Sequence, residues 1–235
     1  MADMLSFKAM RRMKNRVSLQ TSDSYITGLL LALSAGFQDA YTYIERNHVF
    51  SNAQTGNIVL MGQYIFAHNW QCALQYFLPV LAFAAGIYAA ENIEHKYKFY
   101  SGIHWRRLIV LLEIITLLCV GFIPHRFDEI ATMMVSFSCA LQLQSFRKIG
   151  DNNYASTMCI GNLRQMVNAF SLYHWSKDRK YLLSAAGYSS VILVFGIGAG
   201  ICVSFASAYG SRTIIGSCII LLAVFLVMKE EKVLT

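Results

Sequence analysis

The sequence predicts an all-α polytopic membrane protein, with six transmembrane helices plus two re-entrant half-helix hairpins arranged as an inverted repeat. Three observations carry that expectation. The chain of 235 residues is 56% hydrophobic and only 14% charged, against roughly a quarter charged in ordinary soluble domains. Small polar residues interrupt its apolar runs twice, at 50–63 (FSNAQTGNIVLMGQ) and at 155–168 (ASTMCIGNLRQMVN). The placement of lysine and arginine then decides how the chain threads, because basic residues collect on the cytoplasmic side.

Residues 1–24 form a basic cytoplasmic segment holding Lys8, Arg11, Arg12, Lys14 and Arg16. Met4, Phe7, Met10 and Met13 recur in it at every third position, which suits either an amphipathic helix on anionic lipid or a solvated tail that only sets orientation. No cleavable signal is expected, since this start is polar and the first apolar run is long enough to remain in the bilayer.

The membrane domain is expected over 25–228, with spans at about 25–46, 72–93, 106–124, 129–147, 181–204 and 212–228, and a cytoplasmic tail at 229–235. Letting 55–67 and 158–173 also cross would put Arg46, Lys96, Lys98, Arg106, Arg107, Arg147, Lys148 and Arg212 outside. If each instead dips in and returns, only Arg46, Arg126 and Arg212 lie outside, and both termini are cytoplasmic. Residues 55–67 also make only about 20 Å of helix, short for a crossing of about 20 residues.

The two polar runs align without gaps at an offset of 105 positions, pairing Ile44 with Ile149, Asn47 with Asn152, Ser51 with Ser156, Gly56 with Gly161, Asn57 with Asn162, Met61 with Met166 and Trp70 with Trp175. The repeats are therefore about 25–124 and 129–228. Each holds three spans, so the second begins on the opposite side of the membrane. Small residues at every fourth position, Ala82, Gly86 and Ala90 in one half and Gly196, Gly200 and Ser204 in the other, predict close helix contacts. Irregular backbone at membrane depth is tolerated where it is buried in protein or lines a water-filled cavity. Gly56 and Gly161 are expected to allow tight packing, and Asn57 and Asn162 either to cap backbone groups or to face a solute. Two half-helix starts converging near the midplane would favour anionic or carbonyl-bearing groups.

The elements SAGFQDAYTYI and VFSNAQTGNIVLMG, through Gly36, Asp39, Ala40, Phe50, Ser51, Thr55, Gly56 and Asn57, resemble the YoaK family of small bacterial membrane proteins. The second copy departs from that pattern: Ile160 stands where threonine is typical. The resemblance implies six spans and a bacterial inner (cytoplasmic) membrane, and it implies no particular activity.

The expected function is transport of a small solute, a small organic anion or carbonyl-bearing metabolite, at the midplane. Substrate contacts are assigned to Ser51, Thr55, Gly56, Asn57, Ser156, Thr157, Gly161, Asn162 and Arg164, and coupling or gating to Asp39 and Glu113. Alternatives are an aquaporin-like channel for a neutral solute and a non-transporting scaffold. Asp39 is either a coupling site or a hydrogen-bonded structural acid. Glu113 either couples or pairs with Arg106 or Arg107 by snorkelling, and Arg164 either binds an anion, pairs with Asp39 or Glu113, or reaches the cytoplasmic surface. Gln38, Gln142 and Gln144 suit pore lining or interhelical hydrogen bonds. His48 reads as a surface histidine, and Tyr41, Tyr43, Trp70, Trp105 and Trp175 as interface anchors.

Six cysteines inside apolar runs, without ligand spacing, read as small apolar residues, so neither metal nor cofactor is expected. The histidines scatter over loops, and no GxSxG, HExxH or phosphate loop occurs, so no enzyme is expected. Partners are a small-molecule solute and membrane lipid, with a homo-oligomer as a further option; nucleic acid is not expected, because the net charge of +7 reports topology first.

Overall fold

The computed structural model describes residues 24–98, 104–147 and 159–228. The basic N-terminal segment, Ser156, Thr157 and the 229–235 tail lie outside the described residues. Among the described residues the chain is helical, with no strand: α1 Tyr25–Glu45, α2 Gln54–Phe66, α3 Trp70–Tyr97, α4 Trp105–Val120, a 3-10 turn His125–Phe127, α5 Asp128–Ser145, α6 Cys159–Ser176, α7 Arg179–Tyr209, a second 3-10 turn Gly210–Ile214 and α8 Ile215–Val227. Two stretches, Trp70–Tyr97 and Arg179–Val227, are long and apolar enough to cross a membrane. α1 and α5 carry buried polar side chains, Gln38 and Gln142 among them, which lower their apolar character, and α4 spans only Trp105–Val120.

Local signals set the joints. Asn47 and His48 both hold φ of 55°, a left-handed pair that turns the chain back after α1. The joint into each long helix is built the same way twice. His68 is left-handed and the Asn69 side chain accepts from the Cys72 N–H to start α3; Lys177 is left-handed and Asp178 accepts from the Lys180 N–H to start α7.

α1 lies along α7, and α3 along α5. α2 packs on α3 and α6 on α7, while α1 meets α8 and α5 meets α4, with α4 and α8 in contact. Exchanging α1 with α5, α2 with α6, α3 with α7 and α4 with α8 leaves this pairing unchanged. The close approaches follow the same exchange. A Cβ on Gly198 would stand 2.1 Å from the Leu33 carbonyl oxygen, and one on Gly86 2.5 Å from that of Phe137.

The stripe Ala82, Gly86 and Ala90 is buried against α5, as the small-residue pattern predicts. Its counterpart is corrected: Gly196 and Gly200 have open space beside them and Ser204 is exposed, whereas the buried face of α7 carries Val191, Gly198, Cys202 and Ala206. The rotation of α7 is set by α1, where Gly36 meets the Phe195 backbone. The main core joins Leu31, Phe37, Val135, Cys139, Leu117 and Leu221 from α1, α5, α4 and α8.

Candidate functional site

After α1 ends, residues 49–53 run back alongside it. Asn52 Nδ2 donates to the Ala35 carbonyl at 3.2 Å, ten residues or about 15 Å of helix below Glu45. Asp39 holds this strand of chain. Its Oδ1 accepts from the Ser51 N–H at 2.9 Å, the Asn52 N–H at 2.9 Å and the Ser51 hydroxyl at 3.2 Å. The carboxylate thus occupies the cradle of N–H groups just ahead of α2, where an external anion was expected. Asn57 turns into the same loop: Oδ1 accepts from the Phe50 N–H and Nδ2 donates to the Phe50 carbonyl and to Gln54. Of the two roles open to Asn57, capping is the one it performs in this conformation.

Removing the Asp39 carboxylate leaves two buried N–H groups without their acceptor. Asp39→Ala is expected to cost about 1–3 kcal/mol, read as a lowered melting temperature in detergent, with Asn57→Ala losing a comparable amount. Unchanged melting of both would mean the loop is held by other contacts.

A polar seam continues inward from the loop. Ser34 and Ser217 hydroxyls lie 2.8 Å apart, Gln38 Nε2 donates to both, and the Cys139 thiol donates to Gln38 Oε1 at 2.9 Å. Gln142 Nε2 donates to the Leu31 carbonyl, and Gln144 bonds Glu91. All three glutamines therefore act as interhelical links. Cys139 lies within electrostatic range of both Asp39 and Glu113, and Cys159, which opens α6, within range of Asp39.

Glu113, midway along α4, is 0% exposed, and neither carboxylate oxygen has a hydrogen-bond partner among the described residues. The expected pairing with Arg106 or Arg107 is not formed: Arg106 lies over Trp105 and Phe146, and Arg107 over Phe225 at 4.3 Å. Arg164 is exposed and pairs with neither acid. Thr55 and Gly161 are exposed as well, Gly161 with open space where tight packing was expected, while Asn162 is buried. A cleft of about 300 Å³ between α6 and α7 is lined by Met166, Val167, Phe170, Leu182 and Ala185 and is almost wholly apolar.

One cluster had no forerunner in the sequence reading. Arg46, at the end of α1, is wholly buried; it pairs with Asp128 at 2.6 Å and donates to the Tyr41 hydroxyl and to the Val120 and Ile123 carbonyls that end α4. Tyr41 and Trp105 are buried rather than interfacial anchors, whereas Tyr43, Trp70 and Trp175 are exposed. His48 is exposed, edge-on to the Tyr43 ring. The only signals for the Arg46 cluster were a basic residue at the end of the first span and an acid at the start of the fourth, 82 positions apart.

All-helical architecture, apolar outer faces and a polar seam between helices define an α-helical membrane protein. The sequence profile of the family described as "Protein of unknown function (DUF1275)" matches residues 27–227, and the chain belongs to that family. It is 24% identical over 179 residues to the "UPF0700 transmembrane protein YoaK" of Bacillus subtilis (strain 168), covering 72% of this chain and 78% of that protein. No solved structure matches the chain.

Proposed function

We propose that the chain is a proton-coupled carrier of a small solute, built as an inverted repeat of six crossings with α2 and α6 entering the bilayer partway and returning. The exchangeable helix pairing, the twice-built joints at His68–Asn69 and Lys177–Asp178, and the 49–53 segment running back along α1 support the architecture. Transport rests on one observation: Glu113 is wholly buried, and neither of its oxygens has a hydrogen-bond partner among the described residues. A carboxylate at membrane depth is costly unless it meets protein polar groups or water. The arginines of its own helix lie over aromatic rings, Arg106 over Trp105 and Phe146 and Arg107 over Phe225. Glu113 thus fits a neutral acid in this conformation and a carboxylate when the bundle rearranges to admit water, which is what a proton-coupling group does.

The two halves differ in a way that bears on the solute. Asp39 fills the N–H cradle ahead of α2, but the position aligned with it in the second half is Gln144. The first turns of α6 carry Asn162 and Arg164, a pair that suits a small organic anion as the solute class. Ser51, Thr55, Gly56 and Gly161 frame the two loops.

The test is uptake of a panel of radiolabelled small carboxylates into proteoliposomes with an alkaline interior. Wild-type protein is expected to accumulate a member of the panel, and Glu113→Gln to lose accumulation while retaining exchange without a proton gradient. Accumulation unchanged in Glu113→Gln removes the acid from coupling; no uptake of any panel member by wild type, with intact melting, favours a scaffold. For topology, a cysteine at His68 or Asn69 is expected to react with an impermeant maleimide from outside. Reaction only from the cytosolic side would make α2 a full crossing.

A further inference from the structure

Ser211 opens into a cleft of about 370 Å³ between the 121–124 turn and Tyr209–Arg212, on the side of the bundle where α4 and α7 end. Its hydroxyl lies 3.0 Å from His125 Nε2, and His125 Nδ1 lies 3.3 Å from Asp128 Oδ1. The tautomer with its proton on Nδ1, the nitrogen facing the carboxylate, leaves Nε2 able to accept the Ser211 O–H. Serine, histidine and acid in that order are the parts of an activated nucleophile, and such a set is recognised by geometry rather than by chain order.

The set is braced on both sides. Arg46 holds Asp128 from behind at 2.6 Å and donates to the Tyr41 hydroxyl, which in turn donates to the Ser211 carbonyl at 2.9 Å. Ser211 is thus held through its backbone by the Tyr41 hydroxyl and through its side chain by His125, which stands beside Asp128. Arg212, exposed and in no ion pair among the described residues, lines the same cleft, where it offers positive charge. Phe122 and Tyr209 flank it, 70% and 61% exposed. The histidine side chain is 58% exposed, so a substrate can reach Nε2.

We propose that this cleft is an acyl-transfer site for an ester carrying a negative charge, with Ser211 the nucleophile, His125 the general base, Asp128 and Arg46 positioning residues, and Arg212 the group that meets the charge. Ser211 Oγ bonds to the ester carbonyl carbon as its proton passes to His125 Nε2. The carbon–oxygen bond to the alcohol then breaks, and the alcohol leaves with that proton. Water attacks the acyl-serine, giving one proton to Nε2, and release of the carboxylic acid returns that proton to Ser211. The sum is ester plus water giving acid plus alcohol. The activity is independent of transport, and it accounts for a histidine and serine that a purely structural brace of Arg46 and Asp128 would not need.

Full-length protein in detergent is incubated with a fluorophosphonate probe and with p-nitrophenyl hemisuccinate. Labelling is expected on the peptide holding Ser211, to be lost in Ser211→Ala and slowed about 100-fold or more in His125→Gln. Ser211→Ala keeps the backbone carbonyl that Tyr41 binds, so its melting temperature should match wild type. Asp128→Asn should slow labelling and shift its pH profile, and Asp128→Glu should restore part of the rate, which separates positioning from simple collapse. Arg212→Gln should reduce turnover of the anionic ester more than that of neutral p-nitrophenyl acetate. Wild type that stays unlabelled beside a labelled serine-hydrolase control, or Ser211→Ala or His125→Gln labelled at the wild-type rate, overturns the proposal.

Discussion

Arg46→Ala is expected to destabilise the bundle by about 3–5 kcal/mol, the range for removing one partner of a buried ion pair. Arg46 is wholly buried and closes several accounts at once. It neutralises Asp128, gives the Tyr41 hydroxyl a donor, and satisfies the Val120 and Ile123 carbonyls where α4 runs out. The Val120 carbonyl also accepts from the Ile123 N–H at 3.1 Å, so without the guanidinium it is the Ile123 carbonyl, in the turn after α4, that loses its donor. Arg46→Lys should recover only part of the loss, because one ammonium cannot reach Asp128, a phenol and two carbonyls together. The check is thermal or denaturant unfolding in detergent, together with a cycle in which Arg46→Ala and Asp128→Ala are combined. The double variant should be less destabilised than the two single losses added, since the orphaned charge is then gone. Simple additivity would mean that the pair is not coupled.

The consequence is architectural. Arg46 belongs to the first helix of one half, and Val120, Ile123 and Asp128 to the join between halves; Tyr41 then reaches Ser211 in the last turn before α8. Arg46 thus ties α1, α4 and α5 at one end of the bundle, and Tyr41 extends the tie to the joint between α7 and α8.

Helix placement is largely legible in the sequence, because long apolar runs bounded by polar joints have few ways to fold in lipid. The expected first span over 25–46 corresponds to α1 at Tyr25–Glu45, and the polar run after it does break the helix, at Asn47 and His48. Asp39 and Glu113 stood out from composition alone, as acids inside apolar segments. Their surroundings did not. Asp39 is satisfied by backbone groups twelve and thirteen positions on, a contact that depends on the loop reversing direction. Glu113 lacks a partner because Arg106 and Arg107 turn to aromatic rings, a choice set by neighbouring helices. The Ser211–His125 contact joins residues 86 apart, and one sequence offers no periodicity by which such a pairing could be found.

Gly36→Ala and Gly198→Ala are expected to be among the most damaging single changes in the chain, while Gly196→Ala and Gly200→Ala should be nearly silent. At Gly36 an added Cβ would lie 1.9 Å from the Phe195 carbonyl oxygen, and at Gly198 2.1 Å from that of Leu33. Both obstructing atoms are backbone, so no rotamer change relieves them and α1 must move away from α7 along its whole length. Overpacking of this kind costs about 1–3 kcal/mol and more where the backbone itself is the obstacle. At Gly196 and Gly200 nothing lies within 4 Å, and a surface change without a lost contact stays within about 0.5 kcal/mol; alanine there also favours helix. The four positions alternate with each other on one segment of α7 or face it from α1, so composition and membrane depth are shared and only the packing face differs. Melting temperatures of the four purified variants decide it. A large loss at Gly196 or Gly200 with none at Gly198 would mean that α7 turns its other face to the bundle, and the seam that Glu113, Gln38 and Cys139 border would have a different wall.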